Sequence, residues 1–238
     1  MMTKLGTFYG IGVGPGDPDL LTVKAIRAIK EVDVLIAPKT EKKEGSVALD
    51  IAKPYLKPDV EIVYQVFPMV KDFAESPEVF IANKNEILSL LNAGKNVAFL
   101  TLGDPMFYST YIYVFKLLSE EKVNIETIPG VPAFLAIASR IGMPLAFGND
   151  ILSIIPATAA IDDINAALNT TNTSVLMKVY KNFDEIVDTL DDHDMALNAK
   201  LVSRCGLPDE KIISNITEHK HEQLNYLSTI LTRRTNNH

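Results

Sequence analysis

Two stretches of this 238-residue sequence decide its fold: TFYGIGVGPGDP at residues 7–18 and VAFLTLGDP at residues 97–105. In each stretch an apolar run stops at a glycine, and Asp-Pro follows. Such a run is typical of a strand that is buried on both faces of a parallel sheet. Asp at the N-cap position and Pro at the first helical position predict that a helix begins directly after each loop.

The rest of the chain alternates between strand-like and helix-like segments. Besides strands at 7–13 and 97–102, we predict strands at 32–37, 61–66, 124–128, 151–155, 175–179 and 200–204, with β-like segments at 211–213 and 226–231. Helices are predicted from Pro18 onward and at 46–52, 78–93, 108–118, 132–141 and 183–190. This order predicts an α/β fold whose first half is largely parallel sheet and whose second half is mixed.

The segment from Ser119 to Lys122 is the most polar point in the middle of the chain. We therefore predict two α/β domains, residues 1–119 and residues 123–238. A chain of 238 residues is long enough for two such domains, each with its own core.

Composition argues against several functional classes. A net charge of -7 disfavours binding to nucleic acids, because phosphate contacts require clustered Lys and Arg. No apolar run approaches the roughly 20 residues of a membrane span, and the N-terminus lacks the layout of a secretory signal. Because Cys205 is the single cysteine, an internal disulfide is impossible and a cytoplasmic location is expected.

The two Gly-Asp-Pro loops are the strongest candidates for a binding site, because ligands of parallel α/β sheets bind at the carboxyl ends of strands. The alternative is that Asp-Pro only starts a helix. A polyphosphate fits poorly, since Pro15 and Pro18 lack N–H donors and Asp17 and Asp104 would repel it. A ligand with hydroxyls, an amino group or a cationic centre fits better.

Other kinds of active site have little support in the sequence. His219 and His221 could chelate a metal, but no third ligand lies nearby, so we predict no metal site. Cys205 is expected to be a buried, unreactive thiol. The Gly-x-Ser-x-Gly nucleophile elbow is absent from the sequence.

The sequence resembles the tetrapyrrole (corrin and porphyrin) methylases. The resemblance rests on IGVGPGDPDLLT at 11–22, Gly103-Asp-Pro105 and Pro129-Gly-Val131, in that order over nearly the whole chain. It implies two α/β domains, a cleft between them for S-adenosylmethionine, and a homodimer. GDPMFYST at 103–110, FPM at 67–69 and LMKV at 176–179 are similar to the enzymes that methylate C20 of precorrin-2 or cobalt-precorrin-2 in cobalamin biosynthesis. Siroheme-forming methylases carry Gly-Arg-Gly where residues 108–110 are Tyr-Ser-Thr.

The resemblance also implies roles for individual residues. Gly103, Asp104 and Phe107 are expected around the amino-acid and sulfonium end of the cofactor. At position 132 the family more often has a hydroxyl residue, whereas this chain has proline. The full set of expected cofactor contacts is Pro15, Gly16, Gly103, Asp104, Phe107, Pro132, Ala133, Val179, Tyr180 and Cys205. Basic residues expected to meet the substrate's carboxylates are Lys39, Arg140, Lys178, Lys181 and Arg204.

Methyl transfer from a sulfonium to an electron-rich carbon needs no metal and no protein nucleophile, so catalysis depends on orientation and exclusion of water. The product is S-adenosyl-L-homocysteine. Removal of the meso proton requires a base, for which Tyr108 and an ordered water are the candidates. Two alternatives stay open: a methylase of the same family that acts at another corrin position or on siroheme precursors, and a non-catalytic S-adenosylmethionine-binding sensor.

Overall fold

The computed structural model describes residues 5–39, 45–68 and 76–234. The chain forms two compact units, and the division between them falls between Pro132 and Ala133. Met69, part of one of the segments that carry the family resemblance, lies outside the described residues.

The first unit is built on a five-stranded sheet in which all strand pairs are parallel, as predicted. Its order is β3-β2-β4-β1-β5. The strands are β1 (Thr7–Gly12), β2 (Val34–Lys39), β3 (Glu61–Val66), β4 (Val97–Thr101) and β5 (Asn124–Ile128). The α-helices are α1 (Val23–Glu31), α2 (Val47–Ala52), α3 (Pro77–Asn92) and α4 (Tyr111–Ser119).

Helices cover both faces of this sheet, which explains why its central strands are continuous apolar runs. In β4, Ala98 and Leu100 pack in one core cluster with residues of α1 and α2. Val97 and Phe99, which point to the opposite face, pack in another cluster with residues of α3 and α4. Within the described residues, none of the helices has both the length and the hydropathy needed to cross a bilayer.

The strand order places a topological switch point between β1 and β4. These strands are neighbours, yet the chain continues from β1 to β2 on one side and from β4 to β5 on the other. In doubly wound sheets the crevice at such a point, outside the carboxyl ends of the strands, is where ligands bind. The fold therefore brings both Gly-Asp-Pro loops to this crevice.

The second unit contains a five-stranded sheet of order β6-β7-β10-β8-β9. Strands β6 and β7 are parallel and the other pairs are antiparallel, which confirms the predicted mixed sheet. The strands are β6 (Leu152–Pro156), β7 (Thr173–Met177), β8 (Lys200–Ser203), β9 (Lys211–Ile213) and β10 (Ser228–Arg233). The α-helices are α5 (Ala133–Ile141), α6 (Ile161–Thr170) and α7 (Phe183–Asp192).

The boundary in the structure differs from the one we predicted at residues 119–123. Strand β5 pairs with β1 in the first sheet, from Thr7↔Asn124 to Ile11↔Ile128. The polar segment from Ser119 to Lys122 is therefore the turn between α4 and β5, and it is polar because it lies at the surface of one unit.

Three local expectations also differ from the structure. Asp17 caps only a short 3-10 turn, Pro18–Leu20, and α1 begins later because Thr22 caps it through Ala25 N–H at 3.1 Å. Pro38 lies inside β2, where it is tolerated because pairing with β4 extends only over Val34–Ile36. Helix α4 begins at Tyr111 instead of Tyr108.

Helix α6 was not predicted. Within its ten residues only Ile164 and Leu168 are buried, so its apolar stripe is too narrow to mark a helix clearly in the sequence.

A tyrosine of α4 fixes the packing of that helix on β1. Tyr111 is fully buried, and its hydroxyl shares a hydrogen bond of 2.7 Å with the Thr127 hydroxyl of β5. Burial raises the pKa of Tyr111, so the phenol stays neutral. The ring lies directly over Gly10, where a Cβ atom would come within 2.1 Å of the ring carbon Cζ.

We expect Gly10→Ala to lower the free energy of unfolding by about 1–3 kcal/mol, because the methyl group would overpack this core. Urea unfolding measures the effect. Gly45→Ala is the matched control, since nothing lies within 4 Å of the added methyl group. Equal stability of Gly10→Ala and the parent would contradict the packing described above.

Candidate functional site

The loops that follow β1 and β4 are joined to each other by backbone hydrogen bonds. Gly14 and Gly103 form an isolated antiparallel bridge, with N–H···O distances of 3.2 and 2.8 Å. Both residues have positive φ angles, 77° and 73°, which glycine adopts without steric cost. Pairing thus continues past the ends of the strands and fixes the two loops relative to one another.

A third loop, which follows β5, is hydrogen-bonded to Asp104 of the loop after β4. One carboxylate oxygen of Asp104 accepts from Met106 N–H at 2.8 Å, and the other accepts from Gly130 N–H at 3.0 Å. Because β1 lies between β4 and β5, this connection passes over Gly12. A Cβ atom on Gly12 would lie 2.5 Å from Gly130 N and 2.7 Å from Gly103 O. The three loops therefore form one close-packed surface at the switch point.

The structure gathers the predicted site residues of the first unit on these three loops. Pro15 and Gly16 are buried on the loop after β1. Gly103, Asp104, Phe107 and Tyr108 follow β4, and Pro132 follows β5, its Cα 3.9 Å from the position of a Cβ on Gly103. Lys39 ends β2 at the same edge of the sheet, with its ammonium 5.7 Å from the centre of the Tyr64 ring.

Tyr108 has an unusual backbone conformation for a tyrosine. Its φ is 47°, and its ring centre lies 4.6 Å from that of Phe107. Burial raises the pKa of the Tyr108 phenol above its ordinary value of 10.0. A phenol is already protonated at neutral pH at its ordinary pKa, and the upward shift makes Tyr108 still harder to deprotonate. The side chain can therefore donate a hydrogen bond but is a poor base. Its assignment as the catalytic base stays a prediction.

In the second unit, most of the predicted residues lie at one edge of the sheet. Strands β7 and β8 both run antiparallel to β10, so their carboxyl ends share that edge. Val179 is buried, and the Tyr180 ring packs edge-on against Tyr226 at 5.2 Å. Arg204 N–H donates to Leu227 O at 2.9 Å, next to the start of β10. The residues at this edge are Lys178, Val179, Tyr180 and Lys181 after β7, and Arg204 and Cys205 after β8; Ala133 and Arg140 lie on α5.

Two of these residues have the same left-handed backbone conformation as Tyr108. Lys178 and Arg204 have φ angles of 61° and 56°. A left-handed conformation costs a residue other than glycine about 1–2 kcal/mol. Such outliers are concentrated at functional sites. Asp194 and His221, which lie outside the predicted site, have φ angles of 57° and 71°, so a positive φ does not by itself mark the site.

The loop after β8 is organised by Glu210, which is not among the predicted site residues. Its carboxylate accepts from Arg140 Nε at 2.9 Å and from Gly206 N–H at 2.8 Å. Burial raises the pKa of Glu210, but the hydrogen bonds from Gly206, Arg140 and Cys205 outweigh it, so the pKa lies below its ordinary value. No local motif marks Glu210, because its partner Arg140 is 70 residues away.

The two predicted substrate-binding arginines already have acidic partners. Arg140 pairs with Glu210, and Arg204 Nε lies 2.5 Å from Asp209. The positive charge of each arginine is therefore partly neutralised. The Lys181 ammonium group instead lies 5.7 Å from the centre of the Tyr180 ring.

No group of three or more His, Cys, Asp or Glu side chains is placed to hold a metal ion in the parts of the chain that the structure describes. His219 instead contacts Glu222 at 2.9 Å, and His221 contacts Asp184 at 2.7 Å.

The chain belongs to a class of methyltransferases. Residues 7–219 match the family model of the tetrapyrrole (corrin/porphyrin) methylases, and the chain belongs to that family. This confirms the family that the sequence motifs implied, and with it the prediction of an enzyme that transfers methyl groups.

Particular relatives narrow the comparison. The cobalt-precorrin-2 C(20)-methyltransferase of Salmonella typhimurium is 37% identical over 96% of this chain and 97% of its own length. The probable cobalt-precorrin-2 C(20)-methyltransferase of Methanocaldococcus jannaschii is 34% identical over 95% of each chain. The crystal structure of a Thermus thermophilus uroporphyrin-III C-methyl transferase, complexed with S-adenyl homocysteine, shares the fold. Its TM-score is 0.71 at 22% identity, covering 96% of this chain and 92% of that one.

We expect Glu210→Gln to lower the free energy of unfolding by about 1 kcal/mol at pH 7, because the charge-assisted hydrogen bonds are weakened. A lowered carboxyl pKa gives stability that is present above the ordinary pKa of 4.5 and is lost as pH falls through the folded-state value. The difference in stability between Glu210→Gln and the parent should therefore shrink as the pH falls below 4.5. Denaturant unfolding at pH 7 and pH 3 tests this, with the exposed Glu120→Gln as a control that changes little at either pH.

Proposed function

We propose that this protein transfers the methyl group of S-adenosylmethionine to C20 of precorrin-2 or cobalt-precorrin-2 in cobalamin biosynthesis. The observation that carries the proposal is the convergence of three strand-end loops at the switch point of a family member. The position of methylation is inferred from relatives named for C20 and from Tyr-Ser-Thr at residues 108–110.

The residues on the three loops fit this cofactor. When bound, S-adenosylmethionine supplies a methyl group activated by a positively charged sulfonium. Residues 12–19, 103–110 and 129–132 contain no Lys or Arg, so these loops place no like charge beside a cation. Their glycines also let a ligand approach the backbone closely. We assign the cofactor contacts of the first unit to Pro15, Gly16, Gly103, Phe107 and Pro132.

In the second unit we assign cofactor contacts to Ala133, Val179, Tyr180 and Cys205. Val179 and Cys205 are buried next to the carboxyl ends of β7 and β8, where apolar side chains exclude water. The protein supplies orientation, since the carbon that attacks the methyl group belongs to the tetrapyrrole.

Basic residues and Tyr108 are proposed to contact the substrate. We propose Lys39, Lys178 and Lys181 as the basic residues that meet the tetrapyrrole carboxylates, with Arg140 and Arg204 contributing less because each already has a carboxylate partner. Tyr108 would orient the substrate by donating a hydrogen bond, because a phenol whose pKa is raised from 10.0 is protonated at neutral pH.

The decisive experiment supplies methyl-labelled S-adenosylmethionine with precorrin-2 or with cobalt-precorrin-2 and locates the new methyl group by NMR. We expect one labelled methyl at C20 per turnover, and the relative rates identify the preferred substrate. A methyl group at any other position would reassign the protein within its family. Tight cofactor binding without transfer to either substrate would indicate a sensor.

From the family resemblance we infer a homodimer, and from the single cysteine we infer a cytoplasmic location. Light scattering at micromolar concentration should give about twice the 26.2 kDa mass of one chain. A particle of single-chain mass would contradict the dimer without affecting the proposed reaction.

A further inference from the structure

We infer that Asp104 is a positioning residue for cofactor binding, whose carboxylate holds the loops after β4 and β5 together instead of contacting the cofactor's amino group. The inference rests on the proposed function, because it concerns how S-adenosylmethionine is held. It differs from the role that the family resemblance implied for Asp104, which was a contact at the charged amino-acid end of the cofactor.

Each carboxylate oxygen of Asp104 already has a partner within the protein. Oδ1 accepts from Met106 N–H at 2.8 Å, within its own loop. Oδ2 accepts from Gly130 N–H at 3.0 Å, across 26 residues of sequence. Hydrogen bonds from backbone N–H groups to a carboxylate are charge-assisted and stronger than those between neutral groups. The negative charge is thus used to join two loops.

The contact between Asp104 and Gly130 has little room to vary. Gly130 lies so close to the neighbouring loops that a Cβ atom on it would be 2.2 Å from Gly103 O and 2.8 Å from Gly12 Cα. A shift of Gly130 would therefore displace Gly103 directly. It would also move Pro132, which is two residues further along the same loop.

The first Gly-Asp-Pro loop has the same sequence motif, but in the part of the chain that the structure describes its aspartate makes only the local hydrogen bond. Asp17 Oδ1 accepts from Asp19 N–H at 2.9 Å, and this reproduces the local bond between Asp104 and Met106. Within the described residues, Asp17 makes no second side-chain hydrogen bond that corresponds to the one with Gly130. The local turn is shared by both aspartates, whereas the long-range contact belongs to Asp104.

The two hydrogen bonds of Asp104 change the effect expected of the conservative substitution Asp104→Asn. From sequence, Asp104→Asn would keep the capping oxygen and remove only the charge. In the structure it also replaces one acceptor with an NH2 group, which would face the N–H of either Met106 or Gly130. Asn therefore breaks one of the two contacts, while Asp17→Asn keeps the oxygen that Asp19 needs.

Calorimetry with two ligands tests the inference. S-adenosylhomocysteine carries the amino-acid group, and 5′-methylthioadenosine lacks it. Binding of both to the parent protein is measured first, so that failure of the proposed function is recognised separately. We expect Asp104→Asn to weaken both ligands by a similar factor of about ten, since the lost contact shapes the whole site. Asp17→Asn should leave both affinities within about twofold.

Hydrogen exchange provides a second readout, because the Gly130 amide should exchange faster in Asp104→Asn than in the parent or in Asp17→Asn. Two results would overturn the inference. Loss of affinity for S-adenosylhomocysteine alone would show that Asp104 contacts the amino-acid group directly. A lower melting temperature with unchanged affinity for both ligands would show that Asp104 only caps its turn.

Discussion

The close approach of three backbone segments over the end of β1 is the constraint on which the site depends. Strand β1 is flanked by β4 and β5, and the loops that leave these two strands meet above it. Gly12 and Gly130 leave no space for a side chain at the point of contact. The Asp104 carboxylate joins the loop after β4 to the loop after β5. The bridge between Gly14 and Gly103 joins the loop after β1 to the loop after β4. The crevice at the switch point is thereby shaped by backbone atoms.

This construction suits a methyltransferase better than a hydrolase. A reaction whose nucleophile belongs to the substrate requires precise placement and a dry surface, and it requires few ionisable groups. The structure accordingly shows buried prolines and glycines, a neutral tyrosine and aspartates whose side chains bind backbone N–H groups.

The sequence by itself determined the class of fold, the parallel first sheet, the mixed second sheet and the family. These features follow from local patterns: continuous apolar runs, Asp-Pro after a glycine, and motifs in a fixed order. Strands such as Glu61–Val66 and Asn124–Ile128 could be predicted to the residue, because these short segments are rich in β-branched residues and turn residues flank them. The loops that carry the candidate site could be predicted for the same reason.

Tertiary structure decided the features that depend on contacts between distant residues. The boundary moved past β5 because that strand finds its partner in β1, more than a hundred residues earlier. Glu210 was missed because Arg140 reaches it only in the folded chain. Asp17 and Asp104 have the same local motif, yet only the folded chain shows that Asp104 also binds Gly130. Local sequence fixes turns and caps, but a hydrogen bond between loops exists only after the order of strands has brought them together.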